Sequence, residues 1–393
     1  MAAPLVYDPY AYEIHEDPYP TYTRLRAEAP AYYNPTLDFW ALSRFQNVWE
    51  AIQDWDLYSS AEGVSLERGS GGPPMIIAMD PPRQQKLRRL VSKAFTPRRV
   101  AALEPTIRAL TRKHLEPLLA IGACDFIQDF AAKLPMDAIS TMMDVPESDQ
   151  DQLRGWADTL LHREEGKADI PQAGLEAGGK LARYFGEDLA RRRARPGDDL
   201  ISALLDAEID GERLSDAEIV GFCFLLIIAG NETTTKMLGN AMTLLARHPD
   251  QRAWLLANPD GIAGAVEEVV RYDNSTQMLA RVLTRNVALH GVTMPAGKKV
   301  LLLVGSANRD ERSFKRADEF DIRRREPNNL AFGHGIHVCL GASLARLEGR
   351  VALEEVLPRM PEYEIDAAGL VRVHSANVRG YSNVPLRFAP RDW

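Results

Sequence analysis

"FGHGIHVCLG", Phe332 to Gly341, places one of only three cysteines in the chain among three glycines and two histidines. Downstream, "LGASLARLEGRVALEEVL" repeats apolar side chains at helical spacing, so Cys339 stands at the N-terminal end of an amphipathic helix. Unpaired backbone N–H groups and the positive end of the helix dipole favour a thiolate there. Gly333, Gly335 and Gly341 can adopt positive φ and carry no Cβ to obstruct a flat ligand. A buried structural thiol at a tight turn accounts for a lone cysteine. It does not account for the long, regular spacing F-G-x-G-x-H-x-C-x-G, which suits a thiolate held against something flat and metallic.

The rest of the chain sets the frame for that loop. With 393 residues, 45% hydrophobic and 26% charged, the protein can bury a large core and is not mostly disordered. A formal net charge of −8 gives no reason to expect nucleic acid as a partner. Cys124, Cys223 and Cys339 are far apart and lack C-x-x-C spacing, which excludes a disulfide framework and fits a reducing compartment. The N-terminal stretch has no basic-then-apolar leader, and the longest apolar run, Ile219 to Gly230, is shorter than a bilayer span. A soluble, cytoplasmic protein with no membrane contact is the expectation.

Helical periodicity dominates, covering Val100 to Leu119, Leu175 to Arg193, Ser215 to His248 and Ile262 to Tyr272. Strand patterns are shorter: "FWALSRF" from Phe39, Val287 to Gly297, "KVLLLVGSAN" from Lys299, and "GLVRVH" with "VPLRF" as a hairpin-like tail. These patterns predict a mainly α fold with small β-sheets. By themselves they leave one domain or two open.

Other stretches carry chemistry. In "LLIIAGNETTT", Leu225 to Thr235, an apolar helix abruptly carries Gly230, Asn231, Glu232 and a run of threonines, polarity that a core helix does not bury without cause. A threonine hydroxyl bonded back to the preceding turn, beside a glycine, bends such a helix. Glu268 and Arg271 in "EEVVR" lie three apart on one helix face and can pair. "DPPRQQKLRRLVSKAFTPRRV", Asp80 to Val100, is rich in basic residues, as a solvated helix face also is.

With the cysteine loop, these stretches resemble the cytochrome P450 family, and the resemblance runs from "DPYPTYTRLR" near the N-terminus to "VRGYSNVPLRF" near the end. It implies one P450-type domain over residues 1–393, an α-helical prism around a buried haem b. It also implies Cys339 as the proximal iron ligand, Phe332 packed beside the sulfur, and His337 as a haem propionate contact. Gly333 and Gly341 belong to the same signature, whereas His334 falls at a variable position and reads as a loop histidine. Arg88 and Arg281 match propionate-binding arginines. Gln84 stands where many bacterial members have histidine; it can donate a hydrogen bond but has no charge. Glu232 and Thr233 match the acid–alcohol pair that manages proton delivery in dioxygen activation, with Ala229 and Gly230 making room for oxygen. Glu268 and Arg271, completed by Arg324 or Arg325, have the structural role of shaping the cysteine pocket, and "ANRD", Ala307 to Asp310, also follows the family pattern.

The implied reaction inserts one atom of dioxygen into a hydrophobic small organic substrate, a hydroxylation or related oxidation. The chain carries no flavin or nicotinamide fingerprint and no Fe–S cysteine cluster, so electrons must come from outside, and the resemblance implies NAD(P)H through a ferredoxin and a ferredoxin reductase. Arg89, Lys93, Arg98, Arg99, Arg346 and Arg350 are the expected docking cations for an acidic partner. A peroxygenase driven by hydrogen peroxide would dispense with the Glu232–Thr233 pair, and a non-catalytic haem-binding sensor would carry an appended signalling domain. By family position the substrate pocket takes in the loop before Asp80, Leu226, Ala229, Met278, Leu279, Val282 and Val378. Ser275, Thr276, Gln277 and Asn377 are candidates to orient a polar end. Nothing in these residues names the substrate.

Overall fold

The computed structural model describes residues 4–390 apart from 68–71, 93, 94, 166, 168, 198, 210 and 327. Its apolar side chains gather into two helical cores. One is built by Glu104–Ile121, Glu232–Arg247, Ile262–Tyr272 and Ala342–Arg359. The other is built by Arg83–Ser92, Lys133–Met143, Glu147–Leu161, Gln172–Ala194, Leu200–Asp206 and Asp216–Leu225.

A single long helix joins them. Asp216–Leu225 passes through a π-helical turn, Leu226–Asn231, into Glu232–Arg247. By length and composition this helix is apolar enough to cross a bilayer, but 56% of its most apolar window is buried inside the protein. Ser215 starts it with a reciprocal capping box, its hydroxyl accepting from Glu218 N–H while the Glu218 carboxylate accepts from Ser215 N–H. Glu218 also receives the Arg83 guanidinium, 2.7 Å from Nε, which ties this helix to Arg83–Ser92. At Gly221 a Cβ would stand 2.1 Å from the Pro74 carbonyl oxygen, so only glycine lets the preceding loop cross the helix this closely.

In Ala342–Arg359 Leu344, Leu347, Val351 and Val356 are buried in the first core, and burial extends around most of the helix. Each such side chain stabilises the fold by roughly 1.5–3 kcal/mol. Glu355 of the same helix is buried among Arg108, Arg112 and Arg359, with Arg108 Nη1 at 2.7 Å.

The main sheet has five strands in the order Ala31–Asn34, Phe39–Leu42, Lys299–Leu302, Leu279–Leu283, Tyr58–Ser59. Val300 lies between Trp40 on its parallel neighbour and Arg281 on its antiparallel one. Ile262–Tyr272 ends where the periodicity predicts. Val100 to Leu119 instead divides into Pro97–Ala102 and Glu104–Ile121, because Pro105 has no N–H to continue a helix and starts a new one. The tail is not a hairpin. Val371–Arg372 pairs with Tyr381–Asn383, whereas Pro385–Phe388 pairs with Tyr363–Ile365 and Ala123–Asp125.

Candidate active site

A cavity of about 270 Å³ is lined by residues of both cores. Cys339 and Phe332 of the glycine-rich loop line it, and so do Ala229, Gly230 and Thr233 of the π-helical turn and the helix that follows. Two motifs about a hundred residues apart in sequence thus share one space. Cys339 N–H donates to Phe332 carbonyl at 2.8 Å, closing the loop on itself. Gly333 at φ 67° and Gly335 at φ 65° occupy the left-handed region that favours glycine. Gly341 does not; its φ is −83°. There the missing Cβ matters instead, since nothing lies within 4 Å of its place and the residue lines the cavity.

Cys339 is exposed, and its surface opens into the cavity. Burial within the surrounding protein pushes its thiol pKa up. Hydrogen bonding from Gly341 N–H, the charges of Arg88 and Arg346, and Ala342 N–H all pull it down without prevailing. The helix end therefore favours the thiolate, as expected, but does not secure it alone. A cation against the sulfur would supply the remainder.

Arg88, half-buried, and Arg281, 3% exposed, have no carboxylate partner among the described residues. Arg281 donates only to the Ala280 carbonyl, at 2.7 Å, and burial lowers its pKa to about 10 against the attraction of Asp80. His337 lines the cavity, and its Nε2 is buried with no hydrogen-bond partner. Its pKa falls to about 4, first through burial and then through the charges of Arg281 and Arg88, with Asp80 and the Met79 backbone opposing. Two uncompensated guanidiniums and an orphan imidazole nitrogen call for anionic groups, which the carboxylates of a haem provide. Gln84 also lines the cavity, yet its Nε2 donates to Ile336 carbonyl at 2.7 Å and its free atom is the acceptor Oε1. It ties a helix to the cysteine loop through one of the two N–H donors of its amide. His334 stacks on Trp49 at 4.2 Å, away from this chemistry.

In the long helix, Thr233 Oγ1 donates to Ala229 carbonyl at 2.6 Å, the back-bond expected of it. Gly230 admits the neighbouring helix as well as lining the cavity: a Cβ there would meet Ile139 Cδ1 at 2.6 Å. Glu232 is 5% exposed and lies outside the cavity lining, its Oε2 3.1 Å from Lys236 Nζ. Asn231 is fully buried with both amide atoms unpartnered, a feature the sequence reading missed.

Arg271 grips Glu268 with two bonds, Nε at 2.7 Å and Nη2 at 2.8 Å, all within the interior. Arg324 completes the network, its Nε 3.1 Å from Glu268 Oε2. Arg271 Nη1 also binds the carbonyls of Asn308 and Ala317, and Asn308 Oδ1 accepts Leu330 N–H at 2.6 Å. The segment leading into the cysteine loop is thereby fixed.

A family profile described as "Cytochrome P450" matches residues 179–264 and 262–360. "Putative cytochrome P450 123" of Mycobacterium tuberculosis is 48% identical over 393 residues, 98% of each chain. The chain belongs to the cytochrome P450 family. "Vitamin D(3) 25-hydroxylase" of Pseudonocardia autotrophica is 39% identical over 96% of this P450 and 95% of that relative. The structure of CYP109E1 from Bacillus megaterium in complex with testosterone matches with a TM-score of 0.90 at 32% identity, covering 96% of this chain and 99% of that one. The protein is a P450 monooxygenase acting on small organic substrates, and the family implies haem.

Other P450 expectations need correction. Leu226, Leu279, Ser275 and Thr276 line the cavity, with Ile76 and Ile77 from the loop before Asp80. Residues 68–71 of that loop lie outside the described residues. Met278, Val282 and Val378 do not line it. Strand alternation puts Leu279 and Arg281 on one face and Ala280 and Val282 on the other. Met278 packs beneath Tyr7, whose hydroxyl reaches its sulfur at 3.6 Å, and Val378 bridges Thr276 through its backbone. Asn377 likewise acts through its carbonyl, accepting Gln277 N–H at 2.8 Å, and Gln277 turns its amide to Asn274 carbonyl at 2.6 Å. Of the docking cations, Arg346 pairs with Glu267 at 2.5 Å and Arg350 with Glu104 at 2.6 Å, so both already have a carboxylate partner within the protein. Arg98 and Arg99 are exposed on Pro97–Ala102, which packs against the cysteine helix; Lys93 lies outside the described residues.

Proposed function

We propose that this P450 holds haem b through Cys339 and oxidises hydrophobic small molecules with electrons from NAD(P)H, delivered by a ferredoxin and its reductase. The shared cavity carries this reading, because the cysteine loop and the Ala229–Thr233 turn line it together. Arg88 and His337 line the cavity, and Arg281, outside the lining, acts electrostatically on His337; they would supply the cations and the ring nitrogen that propionates take. Haem bound to a thiolate activates dioxygen, inserting one oxygen atom into the substrate and releasing the other as water.

The chain's own residues do the rest. Thr233 holds a hydroxyl proton at Oγ1 beside the cavity, and Glu232, its neighbour in sequence, holds the acid function behind it. Ile76, Ile77, Leu226 and Leu279 offer apolar surface that excludes water and receives an apolar substrate. Arg98 and Arg99 present exposed positive charge to an acidic electron donor. Because relatives are named for vitamin D(3) or were solved with testosterone, these two compounds head the substrate screen.

The test begins with a ligand titration of the purified holoprotein, read as a shift of the haem absorption on water displacement. Turnover follows with NADPH, ferredoxin and reductase. The expected outcome is a saturable shift for an apolar ligand and product formation that needs all three components. Equal product from hydrogen peroxide alone would contradict the electron-transfer reading.

A further inference from the structure

Between the helix Ile262–Tyr272 and the strand Leu279–Leu283, Asn274, Ser275 and Thr276 all line the cavity. Hydrogen bonds pin the backbone of this segment. Asn274 carbonyl accepts Gln277 Nε2 at 2.6 Å, and Ser275 carbonyl accepts Arg379 N–H at 2.8 Å. Thr276 carbonyl accepts Asn274 Nδ2 at 2.6 Å, and Gln277 carbonyl accepts Gly305 N–H at 3.0 Å. Side chains on so fixed a frame meet a ligand at little cost in ordering.

Two hydroxyls on that frame are unspent. Ser275 is 6% exposed, and its Oγ is buried with no hydrogen-bond partner. Thr276 is half-buried, and its bonds to other described residues run through its backbone, leaving Oγ1 free. Thr233, by contrast, spends its hydroxyl on Ala229 carbonyl. A buried hydroxyl left unmet is costly, so its partner is to be sought in whatever fills the cavity.

Charge is scarce on this wall. Among the described residues the lining holds one guanidinium, Arg88, and one imidazole, His337, both taken by the haem edge in the proposed site; it holds no carboxylate and no lysine. An ionised ligand would be buried without a counter-charge, a far larger cost than a hydroxyl's hydrogen bond returns. A neutral oxygen suits the two side chains, because a hydroxyl both donates and accepts. Ile76, Phe222, Leu226 and Leu279 offer apolar surface to the rest of the molecule.

We propose that Ser275 and Thr276 form a subsite for a neutral oxygen, so that this P450 takes apolar molecules bearing a ketone or hydroxyl group and rejects carboxylates. The proposal rests on the cavity being the substrate pocket of a haem enzyme. The two residues set specificity and take no part in the oxidation itself.

Three probes of similar shape test it: methyl naphthyl ketone, ethylnaphthalene and naphthoate, substituted at the same ring position. Each is titrated at neutral pH into the purified holoprotein and read by the shift of the haem absorption. The wild type should bind the ketone and reject the carboxylate. Ser275→Ala combined with Thr276→Val keeps the shape of the wall; it should weaken ketone binding by roughly 10-fold and leave ethylnaphthalene unchanged. A purely structural role would move both ligands together. Equal weakening of the ketone and the hydrocarbon, or naphthoate binding as tightly as the ketone, overturns the subsite and leaves the apolar pocket standing. A wild-type spectrum that none of the three shifts overturns both.

Discussion

Cys339 sits where two effects oppose each other: a helix terminus and two arginines favour its thiolate, and burial disfavours it. Around His337 the balance is reversed, with the charges of Arg281 and Arg88 opposed by Asp80 and the ring's Nε2 left without a partner. One flat ligand with a cationic centre and anionic edges resolves both. Removing one charge should loosen it: Arg88→Leu forfeits a charge-assisted hydrogen bond worth roughly 1.5–3 kcal/mol, about 10- to 100-fold in affinity. Haem loss to an excess of apomyoglobin should accelerate by about that factor, while an unchanged rate would remove Arg88 from the cradle. At this scale the sequence was most informative where chemistry is contiguous. The cysteine, its glycines and its helix are neighbours along the chain, so their joint purpose was readable. Met278 and Val282 were misread because a central strand buries both faces, and only the pleat decides which one meets the cavity.

The Glu268–Arg271–Arg324 network belongs to the scale of elements, joining the helix Ile262–Tyr272 to the loop before the cysteine. Spacing on one helix made the first two members legible. The third was ambiguous because Arg324 and Arg325 are adjacent in a loop, where no periodicity assigns direction. Arg324 turns inward and Arg325 is exposed. Arg324→Gln should therefore destabilise the protein by about 1.5–3 kcal/mol, the cost of losing a charged hydrogen bond while Glu268 keeps Arg271. Arg325→Gln should stay within about 0.5 kcal/mol. Chemical denaturation of the two variants distinguishes them, and equal midpoints would contradict the assignment. The helix start capped by Ser215 was read well, whereas the break at Pro105 was not. The tail strands were not, since their partners are far away in sequence.

At the scale of the whole molecule, the long helix links two cores and the cavity opens between them. That architecture explains what the sequence concealed. Ile139, Met142, Phe222 and Leu225 line the cavity, yet in sequence they are indistinguishable from core residues, because both environments select apolar side chains. Charge was hidden in the same way: Arg346 and Arg350 looked free until their glutamates arrived from other helices. The account as a whole depends on the cavity holding haem against the Cys339 sulfur. The most direct test is the ferrous carbon-monoxide spectrum of the wild type beside Cys339→Ser. The wild type should show the red-shifted absorption of a thiolate-bound haem and the variant should lose it; a variant that keeps that absorption would contradict the account.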